Sequence, residues 1–370
     1  MSGTSADGVD IALVAITGRG LEMSTRLLHH HARPYDPALR QRIFAIRAAA
    51  SVPLADLAQL SRDISLAYAA AVNAALREAN LSASHLAAIA AHGQTLFHAP
   101  PNTIQWFDPS LLAAEVGCPV VSDFRRADCA AGGQGAPLVP FADYLLFGHP
   151  TKNRLVVNIG GIANVTILEA GCPLDRVFAY DTGPGNCISD FLCRQINPDG
   201  PGFDADGQLA FHGKVIPSLA QAFRRDPYFE LPLTPRVPKS TDVPKMLNLF
   251  QSALNEVQGP VLPHDALATA CFVCASEIAS AARHFGPGDP CELIVSGGGA
   301  RNRRIMSFLE QAFQIPRVPT SDDFGVPSEA KEALAFALLG AATLDGVPSN
   351  IPSATGARRS VILGSVTPAP

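Results

Sequence analysis

Short apolar segments that run directly into glycine-rich turns constrain the fold of this chain more than any other feature. The clearest is VFAYDTGPGN, in which residues 177–180 predict a strand, Asp181 closes it, and helical sequence starts at Asn186. Four more glycine-rich turns occur elsewhere, and strands alternate with helices throughout, which predicts α/β layers with largely covered sheets. Ligands bind at the carboxyl ends of strands in open α/β sheets. A carboxylate held there can take a proton from a nucleophile, so Asp181 is the candidate catalytic residue.

The length of 370 residues favours two domains over one. The alternation breaks near residues 145–153, where the sequence FGHPTKN contains glycine, proline and asparagine. It restarts as a hairpin over residues 154–168 around Gly160 and Gly161. The chain begins in a similar way, because a glycine-containing turn at residues 3–8 precedes a strand at residues 9–16. We therefore predict two related halves: an N-terminal domain at residues 1–145, a C-terminal domain at residues 146–344, and a tail at residues 345–370 that packs back on the first.

Composition restricts the classes of partner. The net charge of −5 gives no basic surface for nucleic acid or anionic membranes. The longest apolar run, residues 333–344, is about half the ~20 residues that span a bilayer, and no secretory signal is expected. The eight cysteines are scattered, which predicts buried free thiols and a cytoplasmic protein. Cys271 and Cys274 lie in helical sequence with no second pair, so core packing is favoured over a metal site.

Three glycine-rich turns are candidate phosphate sites, because glycine lets backbone N–H groups approach oxygen atoms closely. Their residues are Gly3, Thr4, Ser5, Ala6, Asp7 and Gly8 in the first, Asn158, Gly160 and Gly161 in the second, and Ser296, Gly297 and Gly298 in the third. Asp7 could hold a metal-bound water. The alternative for each is an ordinary turn, since Asp-Gly is a common hairpin dipeptide.

Several polar segments could contact a substrate. Arg125 and Arg126 adjoin the flexible segment GGQGAP, and arginine grips a carboxylate or phosphate through two hydrogen bonds. His92 and Gln94 lie in the segment HGQT, and Glu332 lies in the helical run SEAKEA. A solvated loop or helix surface is the alternative in each case. The run His29, His30 and His31 is assigned no role, because strand alternation divides it between two faces.

Taken together, these segments resemble the anhydro-N-acetylmuramic acid kinase family over essentially the whole chain. The motifs are MSGTSADGVD, HGQT, DFRRAD with GGQGAPLVP, NIGGIANVT, DTGPGN, PKST, VSGGGARN and KEALAFA, in this order. The resemblance implies two RNase-H-like domains of the actin and sugar-kinase type around an ATP cleft. It implies that ATP and Mg²⁺ phosphorylate 1,6-anhydro-N-acetylmuramic acid while water opens its anhydro ring, in cell-wall recycling.

The resemblance also assigns residues. The family's catalytic aspartate maps onto Asp181, its ATP loop extends from Gly3 through Val9 to Asp10, and Gly183 joins the substrate-binding residues. Mg²⁺ is expected to bind through ATP rather than through a direct protein ligand. The substrate's lactyl carboxylate needs a cation, for which Arg125 and Arg126 are both candidates. A homodimer is left open.

One departure from the family concerns the start of the sequence. The family normally carries a short apolar strand before MSGTS, whereas Gly3 follows only two residues of this chain. Without that strand its neighbours lack a pairing partner, so a chain extended by this strand is expected to be more stable and to bind ATP more tightly. The alternatives are a kinase of the same fold for another sugar or hydroxy acid, an ATP-binding regulatory protein like Hsp70 or actin, and a catalytically impaired relative.

Overall fold

The chain forms two compact units in a computed structural model that describes residues 1–3, 5–230, 240–285 and 290–370. Unit 1 combines Met1–Leu146 with Ala330–Pro370, and unit 2 is Phe147–Glu329. The second domain had been expected to extend to residue 344, but residues 330–344 belong to unit 1. Both units mix helices and strands, which confirms the predicted α/β class.

Before the boundary, the described part of unit 1 contains six strands and five α-helices, the last of which ends at Phe147. The strands are β1 (Gly8–Thr17), β2 (Ser24–Pro34), β3 (Ile89–Ala90), β4 (Gln94–Ala99), β5 (Asn102–Trp106) and β6 (Val120–Ser122). The helices are α1 (Pro37–Ala48), α2 (Leu54–Glu78), α3 (Pro109–Val116), α4 (Arg126–Ala130) and α5 (Pro140–Phe147).

Unit 2 begins again with strands and then adds helices. Its strands are β7 (Asn153–Ile159), β8 (Ile162–Leu168), β9 (Phe178–Pro184) and β10 (Cys291–Ser296). Its helices are α6 (Cys187–Ile196), α7 (Gln208–Phe211), α8 (Pro217–Phe223), α9 (Val243–Glu256), α10 (Pro263–Ala281) and α11 (Arg303–Phe313). The chain then returns to unit 1 with α12 (Lys331–Leu344), α13 (Pro352–Thr355) and the strand β11 (Ser365–Thr367).

The strands of unit 1 form three small sheets. β1 and β2 are an antiparallel hairpin, and so are β4 and β5. β6 lies between β3, which is parallel to it, and β11, which is antiparallel. Of the apolar segment at residues 86–92, only Ile89–Ala90 forms a strand. At the start of the chain, the N–H of Asp10 donates to the carbonyl of Met1 over 2.8 Å.

α12 explains the position of the domain boundary. Its side chains are apolar on almost every face, with Leu334, Phe336 and Leu338 at most 1% exposed. A helix of this kind has to be covered on several sides. It packs on β1 and β3 of unit 1, where the backbone of Gly340 lies directly against Ala90. Residues 330–344 therefore complete the core of unit 1.

Unit 2 is built on one four-stranded sheet in the order β10-β7-β8-β9. β7, β8 and β9 form an antiparallel meander, and β10 adds parallel to β7. Beyond β10, Val295 makes a further parallel bridge to Thr320. A meander followed by parallel strands on the far side of its first strand is the topology of an RNase-H-like domain. One sheet face packs on α10. The stretch Pro263–His284, which consists of α10 and the short turn after it, is long and apolar enough to span a bilayer, but about two-thirds of its most apolar window is buried inside the protein.

β9 corrects one detail of the sequence analysis. The strand does not end before Asp181 but pairs with β8 as far as Pro184, and the next helix begins at Cys187. Backbone hydrogen bonds to β8 sustain the extended conformation through the Gly-Pro segment. Asp181 is therefore held inside a sheet rather than on a turn.

Candidate active site

A row of four polar residues crosses the sheet of unit 2. Asp181 on β9 pairs with Asn164 on β8, Asn164 pairs with Asn158 on β7, and Asn158 pairs with Ser296 on β10. Residues in register on neighbouring strands share a face of the sheet, at spacings of about 4.8 Å. The row therefore spans about 14 Å. It brings the predicted catalytic aspartate into line with two of the predicted phosphate turns.

The row lies on the sheet face opposite the α10 core. The residues next to Asn158, namely Val157 and Ile159, are fully buried in that core, as are Val165 and Val295 on the neighbouring strands. Strand alternation accordingly points Asn158 and its three partners the other way. Ser296 is buried and donates its hydroxyl hydrogen to the carbonyl of Val157 over 2.9 Å.

Asp181 is held by two hydrogen bonds. The backbone N–H of Thr241 donates to Oδ2 over 3.0 Å, and the hydroxyl of Tyr228 donates to the Asp181 carbonyl over 2.5 Å. Burial raises the pKa of the Asp181 carboxyl to about 6, and the Thr241 N–H opposes this rise. The side chain is thus fixed in position and still ionised at neutral pH, as a general base has to be.

The glycine turns of unit 2 touch one another through their backbones. A Cβ on Gly185 would lie 2.2 Å from the carbonyl oxygen of Gly160, and one on Gly297 would lie 2.5 Å from Oδ1 of Asn158. The N–H of Asn186 donates to the carbonyl of Gly160 over 2.7 Å. These approaches require glycine. They bring Gly160, Gly161, Gly297 and Gly298 beside Asn158 and Ser296, at the end of the polar row away from Asp181.

Gly183 is needed for a different reason. Its φ of +146° is rare for L-residues, and an added Cβ would lie 3.1 Å from the ring of Phe229. The residue pairs with Ala163 two positions beyond Asp181. A side chain here would strain the backbone that carries the aspartate.

In unit 1, the two adjacent arginines have different environments. Arg126 is 68% exposed and makes two contacts with Asp123, 2.7 Å from Nε to Oδ1 and 2.6 Å from Nη2 to Oδ2. Arg125 lies inside, where Nη1 donates to the carbonyl of Gly135 over 2.7 Å and Nε donates to Nε2 of His92 over 2.9 Å. Burial lowers the pKa of Arg125. Of these two arginines, Arg125 is therefore the one whose guanidinium is held by contacts inside the unit.

The contact with Arg125 fixes the state of His92. Arginine can only donate, so Nε2 of His92 is the acceptor, and the proton resides on Nδ1, which donates to the carbonyl of Gly93 over 2.8 Å. Burial, reinforced by the charge of Arg125, holds the pKa of His92 well below its usual range. His92 is thus neutral and positions the guanidinium.

Gln94 and Glu332 complete this group. Nε2 of Gln94 donates to the carbonyl of Gly3 over 3.0 Å, and its Oε1 accepts from Ser2 over 2.7 Å, so Gln94 anchors the first glycine-rich turn. Glu332 begins α12 with an accessible carboxylate. Neighbouring protein atoms desolvate it and raise its pKa, and the positive charge of Arg125 opposes that rise.

The first glycine-rich turn has a defined backbone between Ser5 and Asp10. Ala6 is buried with φ of 50°, the Asp7 carbonyl accepts from the N–H of Tyr35 over 3.0 Å, and Gly8 lies directly against the backbone of Arg33. Val9 is buried in the core, so only its backbone could contact a ligand. The Asp7 side chain is exposed and pairs with Arg40 over 3.1 Å. Thr4 lies outside the described residues.

Sequence reasoning missed three residues that support these groups, namely Ser2, Thr241 and Tyr228. Ser2 and Thr241 lay within the quoted motifs MSGTSADGVD and PKST, which were the available signal. Tyr228 lay in no motif, because it acts through a contact distant in sequence. The motif PKST lies partly outside the described residues, and the structure describes its Ser240 and Thr241.

Comparisons with known proteins give a consistent result. A family model described as anhydro-N-acetylmuramic acid kinase matches residues 1–369. A protein of that name from Gloeobacter violaceus is 40% identical over 375 residues, covering 100% of this chain and 97% of its own length. Another from Bacillus cereus is 36% identical over 378 residues, covering 99% and 97%.

Solved structures are more distant. Component A of (R)-2-hydroxyglutaryl-CoA dehydratase from Acidaminococcus fermentans is 13% identical, with a TM-score of 0.41 and coverage of 89% of this chain and 96% of its own. A ROK-family glucokinase from Streptomyces griseus is 15% identical, with a TM-score of 0.34 and coverage of 90% and 98%. At these scores, the family assignment rests on the sequence matches.

Proposed function

The chain belongs to the anhydro-N-acetylmuramic acid kinase family, and from this premise we propose how its residues divide the reaction. The protein phosphorylates 1,6-anhydro-N-acetylmuramic acid in the recycling of cell-wall material. We propose that ATP is the phosphoryl donor and that ring opening accompanies transfer. The observation that supports this reading most strongly is the fixed, ionisable Asp181 in line with two glycine-rich turns.

Asp181 acts as the general base in this proposal. Its carboxylate takes a proton from water, whose oxygen bonds to the anomeric carbon of the sugar as the bond from that carbon to the 6-oxygen breaks. The freed 6-oxygen attacks the γ-phosphorus of ATP, and ADP leaves. The Thr241 N–H fixes one carboxylate oxygen, which leaves the other for the water.

The proposed phosphate contacts are backbone donors, described unit by unit. In unit 1 they are residues 3–10, and in unit 2 they are the turns at Asn158, Gly160, Gly161, Ser296, Gly297 and Gly298. Mg²⁺, when bound with ATP, would neutralise charge on the transferring phosphate. Mg²⁺ usually keeps several waters. The exposed carboxylate of Asp7 would accept a hydrogen bond from one of them in place of its present contact with Arg40.

Arg125 is the proposed partner of the substrate's lactyl carboxylate. It is a half-buried cation oriented by His92 and Gly135, whereas Arg126 already has its carboxylate in Asp123. The further proposed substrate contacts are His92, Gln94 and Glu332 in unit 1 and Gly183 in unit 2. The use of ATP and the eight free cysteines fit a cytoplasmic enzyme.

Transfer and ring opening are tested together by mass spectrometry of the product formed in ¹⁸O-labelled water. We expect the wild-type chain to give one phosphate and one heavy oxygen per sugar, and Asp181→Asn to lose at least ~100-fold in kcat, as loss of a general base does. The matched control is Asp190→Asn on α6, since burial also raises the pKa of Asp190 to about 6. It is expected to retain activity.

The alternative outcomes are separable. A phosphorylated product without heavy oxygen would exclude water attack and leave an ordinary sugar kinase. Full activity in Asp181→Asn would remove Asp181 from the mechanism. ATP hydrolysis without any stimulation by the sugar would instead favour a regulatory ATP-binding protein.

The two arginines are tested by substitution and by substrate trimming. Arg125→Lys is expected to raise KM at least ~10-fold, because lysine cannot keep the planar fork of hydrogen bonds. Arg126→Lys is expected to leave KM within about two-fold, since its partner is Asp123. With 1,6-anhydro-N-acetylglucosamine, which lacks the lactyl group, wild type and Arg125→Lys should have similar KM values. A KM defect of equal size on both sugars would mean that Arg125 does not bind the carboxylate.

A further inference from the structure

Two histidines and a glutamate form a cluster in unit 1 that takes no part in the proposed reaction. Nε2 of His29 and Nδ1 of His31 each lie 2.9 Å from the same oxygen, Oε2 of Glu78. The three ligand atoms all lie within 4.8 Å of one another. His29 and His31 are on β2, and Glu78 is the last residue of α2.

The position of the two histidines on the strand is unusual for polar residues. In the hairpin register, His29 pairs with Leu13 and His31 with Ile11, and both partners are buried in the core that includes α2. His29 and His31 therefore share the sheet face that packs on the helix. His30 lies on the other face, with Nε2 4.0 Å from Asp10. Alternation does divide the triplet, but it leaves two imidazoles together against a carboxylate.

We propose that His29, His31 and Glu78 bind one divalent zinc ion. Two imidazole nitrogens and one carboxylate oxygen are a ligand set that zinc prefers, with a fourth position for water. Bond lengths of about 2.0–2.2 Å in a tetrahedron separate the ligand atoms by about 3.3 Å. The two observed N–O distances of 2.9 Å need to open by only a few tenths of an ångström.

The protonation state of the cluster is compatible with metal binding. A carboxylate oxygen can only accept, so without metal each facing imidazole nitrogen carries a proton. Hydrogen bonds from His29, then His31, lower the pKa of Glu78, which keeps this ligand ionised. Zinc would take the place of the two N–H hydrogens, with each neutral imidazole carrying its proton on the other ring nitrogen.

The bound ion would replace the hydrogen bonds between β2 and α2 with direct bonds from both elements to one metal. It would join the C-terminal end of α2 to the middle of β2. Helix ends ordinarily fray, so the ion would hold this end in its helical conformation. A ligand that binds only the folded state stabilises that state by mass action. The site therefore predicts zinc-dependent stability that is separate from catalysis.

The test uses the full chain, stripped with EDTA and then titrated with Zn²⁺ by calorimetry and in thermal unfolding. Wild type is expected to bind one equivalent and to melt at a higher temperature with zinc. Glu78→Gln and His31→Gln should each bind at least ~10-fold more weakly and show no zinc-dependent rise in Tm. His85→Gln, which changes an exposed histidine of the same unit outside the cluster, is the matched control and should behave like wild type.

Two further readouts decide the proposal. Co²⁺ bound to wild type should show the intense visible absorption of a tetrahedral site, and Glu78→Gln should not. Kinase activity of zinc-free Glu78→Gln, assayed with Mg²⁺ and ATP, should equal that of the zinc-free wild type, which also shows that the variant folds. Equal Zn²⁺ affinity in wild type and both cluster variants, or Co²⁺ with a weak octahedral spectrum, would overturn the proposal and leave a surface ion pair.

Discussion

Burial of the Asp181 carboxyl has opposite consequences for catalysis and for stability. Its pKa in the folded chain is about 6, against an ordinary value of 3.8. Folding therefore favours the protonated form, and ionisation destabilises the fold progressively as the pH rises from 3.8 to 6. A shift of about two pKa units corresponds to up to about 3 kcal/mol above pH 6. The charged form that weakens the fold is the form that acts as base.

We expect this conflict to appear in the Asp181→Asn variant. Its melting temperature should exceed that of wild type at pH 7.5, because the buried charge is gone while the amide oxygen can still accept from Thr241. The difference should vanish near pH 3.5, where Asp181 is neutral in both states. Wild-type kcat should rise through pH 6 and then level off. A lower melting temperature for Asp181→Asn at pH 7.5 would show that the carboxylate stabilises the fold instead.

At the scale of elements, α12 depends on one glycine for its approach to the sheet. A Cβ on Gly340 would lie 2.7 Å from the Cβ of Ala90 on β3, closer than packed carbon atoms allow. Glycine within a helix costs about 1 kcal/mol relative to alanine. The close contact between α12 and β3 therefore offsets a local preference against this residue.

This contact can be tested with two substitutions, one that adds a methyl group at Gly340 and one that removes the methyl group of Ala90. Gly340→Ala should lower the free energy of unfolding by about 1–3 kcal/mol, because overpacking outweighs the gain in helix propensity. Adding Ala90→Gly should restore much of the loss, since the methyl group then has room. Chemical denaturation of wild type, the two single variants and the double variant measures the coupling. Additive effects of the two substitutions would mean that the residues do not press on each other.

The elements also show how far sequence patterns reach. Long helices such as α2 can be predicted from sequence, because amphipathic spacing is a local signal. The extension of β9 through Pro184 could not be predicted, because it depends on backbone pairing with β8. The motifs located Asp181 and both arginines. They could not show that Arg125 turns inward and Arg126 outward, which follows from Asp123 and His92 in three dimensions.

At the scale of the whole molecule, the two units differ in how the chain builds them. Unit 2 is the continuous segment Phe147–Glu329, whereas unit 1 needs Met1–Leu146 together with Ala330–Pro370. The later segment supplies α12, which covers β1 and β3, and β11, which pairs with β6. Each end of the sequence is therefore required for the same core.

This discontinuity imposes an order on folding during synthesis. Chains emerge from the ribosome with the N-terminus first, and domains generally fold as units. All residues of unit 2 are translated before α12 exists, so unit 2 can finish while unit 1, although begun first, still lacks its covering helix. Until α12 emerges, the apolar faces of β1 and β3 that it will cover lack this helix. The nascent chain thus presents to chaperones, for most of its synthesis, a surface that the finished protein hides.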